Sequence, residues 1–171
     1  TDAYCVRPFT TESGHFHGLE SKNSVASGVL RLPAHGKVLL DLIKITEDPY
    51  CIPPWIPDAK KDELQDAKDV GTPIHTGQMS WGMWGPKALT WALNHHNQLK
   101  YALPQPAFYP IPFKSRRKIG IPNFPLDKFI NDETYSIHFW GRRMRGFLVT
   151  RFDGIPPSDS LIGRSVKKHD I

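Results

Sequence analysis

The sequence predicts a mixed α/β fold from three observations. Tyr135, Ile137 and Phe139 alternate with Ser136, His138 and Trp140, the period of two that marks a strand. Val38, Leu39, Leu42 and Ile43 recur at helical spacing and form an apolar stripe. Ala3–Phe9 is a short strand-like run ended by Pro8. The 171 residues fit one domain or part of a larger one, and no repeat or low-complexity linker marks a boundary within 1–171. Hydrophobic content of 39% supports a core, and charged content of 23% is ordinary for a soluble chain. A net charge of +5 permits phosphate-bearing partners without selecting one. No nucleic-acid-binding motif is visible, so no nucleic-acid partner is expected. No apolar run is long enough to cross a membrane, and no signal peptide is recognisable. Cys5 and Cys51 make neither a metal pattern nor a disulfide framework; free, buried thiols are expected.

In chain order, Asp2 stands just before the first strand. It can serve as an oxygen ligand for a divalent cation or simply as a turn residue. His15 and His17, two apart on an extended segment, face one side with no third ligand nearby and are expected to be solvated. Val25–Leu32 reads as a strand carrying Gly28, and Pro33 opens a helix over about Ala34–Thr46. Asp48–Pro57 is a proline-pinned loop, and Lys60–Lys68 is a charged surface helix with Leu64 and Ala67 inside. Pro86 suits the first turn of a helix that buries Leu89, Ala92 and Leu93. Its start, preceded by Trp81, Trp84 and Gly85, makes either a lip for an anionic or sugar ligand or a helix packed by two tryptophans. Phe108–Phe113 is an extended aromatic segment followed by basic residues from Lys114 to Lys118.

The strand at 135–140 is the most informative stretch. Gly141 is expected to stop it, and Arg142, Arg143 and Arg145 follow as a basic turn. A His beside an indole, with guanidinium groups close behind, suits a bare or metal-bound diphosphate. The plainer alternative is a half-buried His beside a solvated turn.

Four segments in order resemble the DXD-containing glycosyltransferases of the GT-A fold, closest to family-32 and α-1,4-glycosyltransferase-like enzymes of bacterial polysaccharide and lipopolysaccharide synthesis. They are Thr1-Asp2-Ala3-Tyr4-Cys5-Val6-Arg7-Pro8-Phe9, Trp84-Gly85-Pro86, Phe108-Tyr109-Pro110 and His138-Phe139-Trp140. The chain departs from the family pattern at Gly141, where relatives often carry Asn, and at Trp84, where they often carry Thr. The resemblance implies a Rossmann-like nucleotide-sugar-binding fold of which 1–171 is the carboxy-terminal part, with the first Asp of the DXD pair and the upstream half preceding Thr1.

The resemblance further implies a metal-assisted, retaining transfer of a hexose from a nucleotide-diphosphate sugar to a glycan or glycolipid acceptor. Asp2 and His138 would bind Mn²⁺ or Mg²⁺, with Trp140 walling the donor site and Arg142 or Arg143 contacting phosphate. Glu20 and Asn23 would touch the donor sugar, and Trp81, Trp84, Gly85 and Pro86 would line the acceptor side. No catalytic base can be named. A cytoplasmic location is implied, compatible with peripheral association at the inner face of a bacterial membrane. Two alternatives stay open: a non-catalytic basic module binding phosphate-rich polymers through Lys114–Lys118 and Arg142–Arg145, and an inactive glycosyltransferase-like subunit.

Overall fold

A computed structural model describes residues 2–170, so Thr1 of the first matched segment lies outside the described residues. The architecture mixes α and β. Among the described residues there are two small antiparallel two-stranded sheets and no parallel sheet of the Rossmann kind. The chain divides into two compact units, a division that no shift in composition marks. One comprises the residues up to Thr10 together with those from Pro104 onward; the other is Thr11–Leu103.

In the first unit, β1 (Ala3–Cys5) pairs antiparallel with β4 (Ser136–His138), placing Ala3 opposite His138 and Cys5 opposite Ser136. Two flanking bonds lengthen the ladder, Phe139 N to Asp2 O at 2.7 Å and Val6 N to Tyr135 O at 2.8 Å. Ile137 is fully buried as expected, but the alternation does not hold, since Ser136 is buried beside it and Tyr135 and Phe139 are half-buried; the strand is also shorter than 135–140. The reason is Trp140, whose φ of 55° and ψ of 37° turn the backbone into the left-handed region.

Gly141 therefore opens a helix, α4 (Gly141–Phe152), rather than ending a strand in a basic turn. Arg142, Arg143 and Arg145 are exposed helical residues, while Met144 points into the core with Phe108, Ile111, Ile119 and Ile137. Lys114–Lys118 likewise lies on a 3-10 helix, Phe113–Gly120. This helix packs closely on α4, because a Cβ at Gly120 would sit 3.1 Å from Phe147 and 3.2 Å from Leu148. The last helix, α5 (Leu161–Lys168), is capped by Ser160, whose Oγ accepts from Gly163 N at 3.0 Å.

In the second unit, β2 (Leu19–Ser21) and β3 (Ser24–Val25) form a hairpin about Lys22 and Asn23. The strand expected over Val25–Leu32 stops at Val25, whose N–H goes to Thr90 Oγ1 at 2.9 Å, with one further cross-bond from Ala26 N to Gly18 O at 3.2 Å. Beyond it the backbone bends, and pairing returns at Arg31, which bridges Phe16. Helix α1 (Lys37–Thr46) starts later than Ala34 because Pro33 and Gly36 close a turn first, Gly36 N to Pro33 O at 2.9 Å. Ile43 does not join its inner stripe and is 49% exposed. Helix α2 (Asp58–Asp69) buries Leu64 as its charge pattern predicts.

Helix α3 (Ala88–His95) buries Ala88, Leu89, Ala92 and Leu93, and Pro86 lies in a π-helical turn, Met83–Lys87, that leads into it. Val25, Val38, Leu89, Ala92 and Leu93 form one core cluster, with Leu42 of α1 packed against it. Two further expectations are corrected. His15 and His17 are buried, at 8% and 0% exposure; Tyr101 stacks on His15 with centroids 4.4 Å apart, and His15 stands edge-on to His17 at 5.6 Å. Both cysteines are free, yet Cys5 is exposed at the end of β1 and Cys51 is half-buried.

Candidate functional site

The β1–β4 pairing sets the site. It places Asp2 beside His138, so that Asp2 Oδ1 lies 3.1 Å from His138 Nε2. The other carboxylate oxygen, Oδ2, accepts from Gly141 N at 2.6 Å. Trp140 precedes α4 without a capping side chain, so Asp2 supplies the cap from 139 positions away. The positive end of the helix dipole favours a carboxylate there.

The ring of His138 is held on both sides. Its Nδ1 accepts the Trp140 backbone N–H at 3.1 Å, so in the neutral ring the proton sits on Nε2 and points at Asp2. Burial pushes the His138 pKa below its ordinary value, and the Asp2 carboxylate opposes that shift. An aromatic wall surrounds the ring: Trp140 edge-on at 4.4 Å, and Tyr109 at 5.2 Å. Phe113 packs edge-on against Trp140 at 5.1 Å. The indole Nε1 of Trp140 is buried with no hydrogen-bond partner among the described residues, an orphan donor in the wall of the site.

These donors fit a hard divalent cation in part. A carboxylate oxygen and a neutral imidazole nitrogen 3.1 Å apart are close to the ~2.9 Å that two neighbouring ligands of an octahedral Mg²⁺ would have. Ligation would require the His138 proton to move from Nε2 to Nδ1, giving up the bond from Trp140 N, and Asp2 Oδ1 to exchange its hydrogen bond for the ion. Two protein ligands are enough where phosphate and water complete the shell.

The sequence-derived residues divide between the units. Asp2, His138 and Trp140 meet in the first unit, and Arg142 lies exposed in the first turn of α4. Glu20 and Asn23 belong to the β2–β3 hairpin of the second unit. Glu20 is half-buried, its pKa raised by that burial, and Asn23 is exposed in the turn. Trp84 and Gly85 line a cavity of about 410 Å³ in the second unit, with Ser27, Leu42, Asp48 and Thr76 on its other walls. The Trp84 indole is fixed by donating to Thr76 O at 3.0 Å. Pro86 is half-buried behind Gly85, whereas Trp81 is 80% exposed and not part of that wall.

One cluster escaped the sequence reading: Asp41, His95 and His96 offer ligand atoms that all lie within 4.8 Å of one another. The signal was a His-His doublet closing a helix, but its carboxylate comes from a different helix 55 positions away from His96. Comparison with protein-family models, with curated proteins and with solved structures gave no significant match for this chain.

Proposed function

We propose that the chain is a glycosyltransferase of the GT-A type, transferring a hexose from a nucleotide-diphosphate sugar to a glycan or glycolipid acceptor. The observation that carries this reading is the meeting of Asp2 and His138, 3.1 Å apart, from segments that the family resemblance singles out independently. Mn²⁺ or Mg²⁺ held by Asp2 and His138 would supply charge neutralisation to the departing diphosphate. Asp2 is held in place by Gly141 N, and His138 would give up its bond from Trp140 N on changing tautomer to bind the metal. The unpartnered Trp140 N–H offers a hydrogen bond to a phosphate oxygen, and Arg142 a mobile cation one helical position beyond Gly141. The cavity walled by Trp84 and Gly85 is of a size to take a sugar ring and supports an acceptor role for that region. Among the described residues no helix is long and apolar enough to cross a membrane.

The test is calorimetric titration of UDP and GDP with and without Mn²⁺, repeated on Asp2→Asn and His138→Gln. Metal-dependent binding lost in both variants supports the reading; metal-independent binding, or none, sinks it for this chain.

A second reading has its own observation. The 3-10 helix carrying Lys114, Arg117 and Lys118 packs on α4, which exposes Arg142, Arg143 and Arg145, so the two basic segments belong to adjoining elements. A non-catalytic binder of phosphate-rich polymers would use that surface. Its affinity would fall steeply with salt and ignore Mn²⁺. An inactive subunit would bind the nucleotide and show no turnover with any sugar donor.

A further inference from the structure

We propose that Asp41, His95 and His96 form a zinc site at the carboxy-terminal end of α3, separate from the proposed donor site and independent of that reading. Adjacent residues of a regular helix diverge by about 100°, so a His-His doublet does not ordinarily converge. Here His96 leaves helical geometry, with φ −97° and ψ 11°, and its Nε2 reaches Asp41 Oδ2 at 2.7 Å. His95, the last helical residue, is stacked flat on Trp91 at 5.0 Å and stands edge-on to His96 at 4.9 Å. Trp91 in turn packs on Trp55 at 5.4 Å. Neither ring nitrogen of His95 has a hydrogen bond among those described, so one is free to ligate.

The scaffold is rigid where the ligands are not. Asp41 follows Val38 by one helical turn on α1, and Val38 shares a core cluster with Leu89, Ala92 and Leu93 of α3. The two helices that supply the ligands are thus locked together by buried side chains. To reach the ~3.3–3.4 Å of a tetrahedral zinc shell, the His96–Asp41 pair must open from 2.7 Å and the widest pair close from no more than 4.8 Å. His95 is exposed and Asp41 half-buried, so side-chain rotation suffices.

Two imidazoles and one carboxylate are a borderline-soft donor set. It favours Zn²⁺ over Mg²⁺ or Mn²⁺ and leaves a fourth position for water. The plain alternative is an ordinary His96–Asp41 bond joining two helices, with His95 merely resting on Trp91. In that case His95 has no bearing on metal.

The test is titration of Zn²⁺ into the chelator-treated chain by calorimetry, with Co²⁺ as a visible-absorption probe. The variants are Asp41→Asn, His95→Gln, His96→Gln and the double Asp2→Asn/His138→Gln, each first checked for an unchanged fold by circular dichroism. The expected result is one metal per chain, with Co²⁺ giving ligand-field bands that Zn²⁺ then abolishes by displacing it. Each of the first three variants should weaken Zn²⁺ by more than the ~10–100-fold that loss of an outer partner costs. The double variant should leave Zn²⁺ binding intact while abolishing any Mn²⁺-dependent nucleotide binding, which separates this site's fate from the donor site's. Absence of Zn²⁺ binding, or binding that His95→Gln leaves unchanged, overturns the proposal.

Discussion

His138 and His96 each face an aspartate, but one stands at the start of its helix and the other at the end of a different helix. His138 and Asp2 meet at the start of α4, where backbone N–H groups need an acceptor. Gly141 takes one Asp2 oxygen and Trp140 takes Nδ1 of His138, so the pair is tied down by the helix it caps. His96 and Asp41 meet at the end of α3, where carbonyls rather than N–H groups are unpaired. Among the described residues no backbone N–H claims that carboxylate, and a second imidazole stands beside it. The same two residue types therefore make a rigid, oxygen-rich corner in one place and an adaptable, nitrogen-rich one in the other. Which helix end they occupy decides which.

The comparison breaks most severely if the scaffold under the second pair is removed. Leu93→Ala empties a fully buried position between α1 and α3 and should cost ~2–5 kcal/mol in chemical denaturation. It should loosen zinc at Asp41 and His96 while leaving the Asp2–His138 corner in place.

Lowering the pH probes the histidines as a class. Burial lowers the pKa of His15, His17 and His138, so the unfolded chain binds protons that the folded chain refuses. Stability is therefore full above about pH 6.5 and is lost as pH falls below it toward the folded values. Each histidine contributes at most ~1.4 kcal/mol per pH unit in that window. A melting temperature that stayed flat from neutral to mildly acid pH would contradict the assigned burial.

Asp2→Ala, which strips α4 of its cap, should cost ~1 kcal/mol by thermal melting. Asp2→Asn should keep part of the cap yet drive the His138 pKa lower still, because the carboxylate is what raises it. NMR titration of the ring protons reads that shift, and an upward move would contradict the pairing. The smallest effect is expected at the second pair without metal. Asp41→Asn should cost less than ~1 kcal/mol, since the carboxylate is 37% exposed and screened. With zinc present the same substitution should cost more, and that gap measures the site.

The helices were the most legible part of the sequence. The stripe of Val38 and Leu42, the charge pattern around Leu64 and the Leu89–Leu93 face each carry their own periodicity, and all three helices form. The strands were less so, because their ends depend on partners elsewhere. β3 ends at Val25 although strand-like residues run on to Leu32, and Trp140 ends β4 by a left-handed turn that no local pattern announces. The Arg142–Arg145 run reads as a turn because its charges hide the single buried Met144 that makes it a helix face. Asp2 and His138 were legible as partners only through their matched motifs, whereas Asp41 carries no mark that could join it to His95 and His96. His15 was misjudged because the ring that covers it, Tyr101, lies far along the chain.

The pairing of β1 with β4 also sets an order in time. A ribosome delivers Ala3 long before His138, and everything in Thr11–Leu103 is synthesised in between. The intervening unit is continuous in sequence and contains its own sheet and core cluster, so its contacts are available while the chain is still growing. The first unit is not. Its leading strand must remain an open edge until more than a hundred further residues have emerged, and closing that gap carries the entropy of a long loop. The short length of β1 and the proline that follows it limit what else that edge can recruit while it waits.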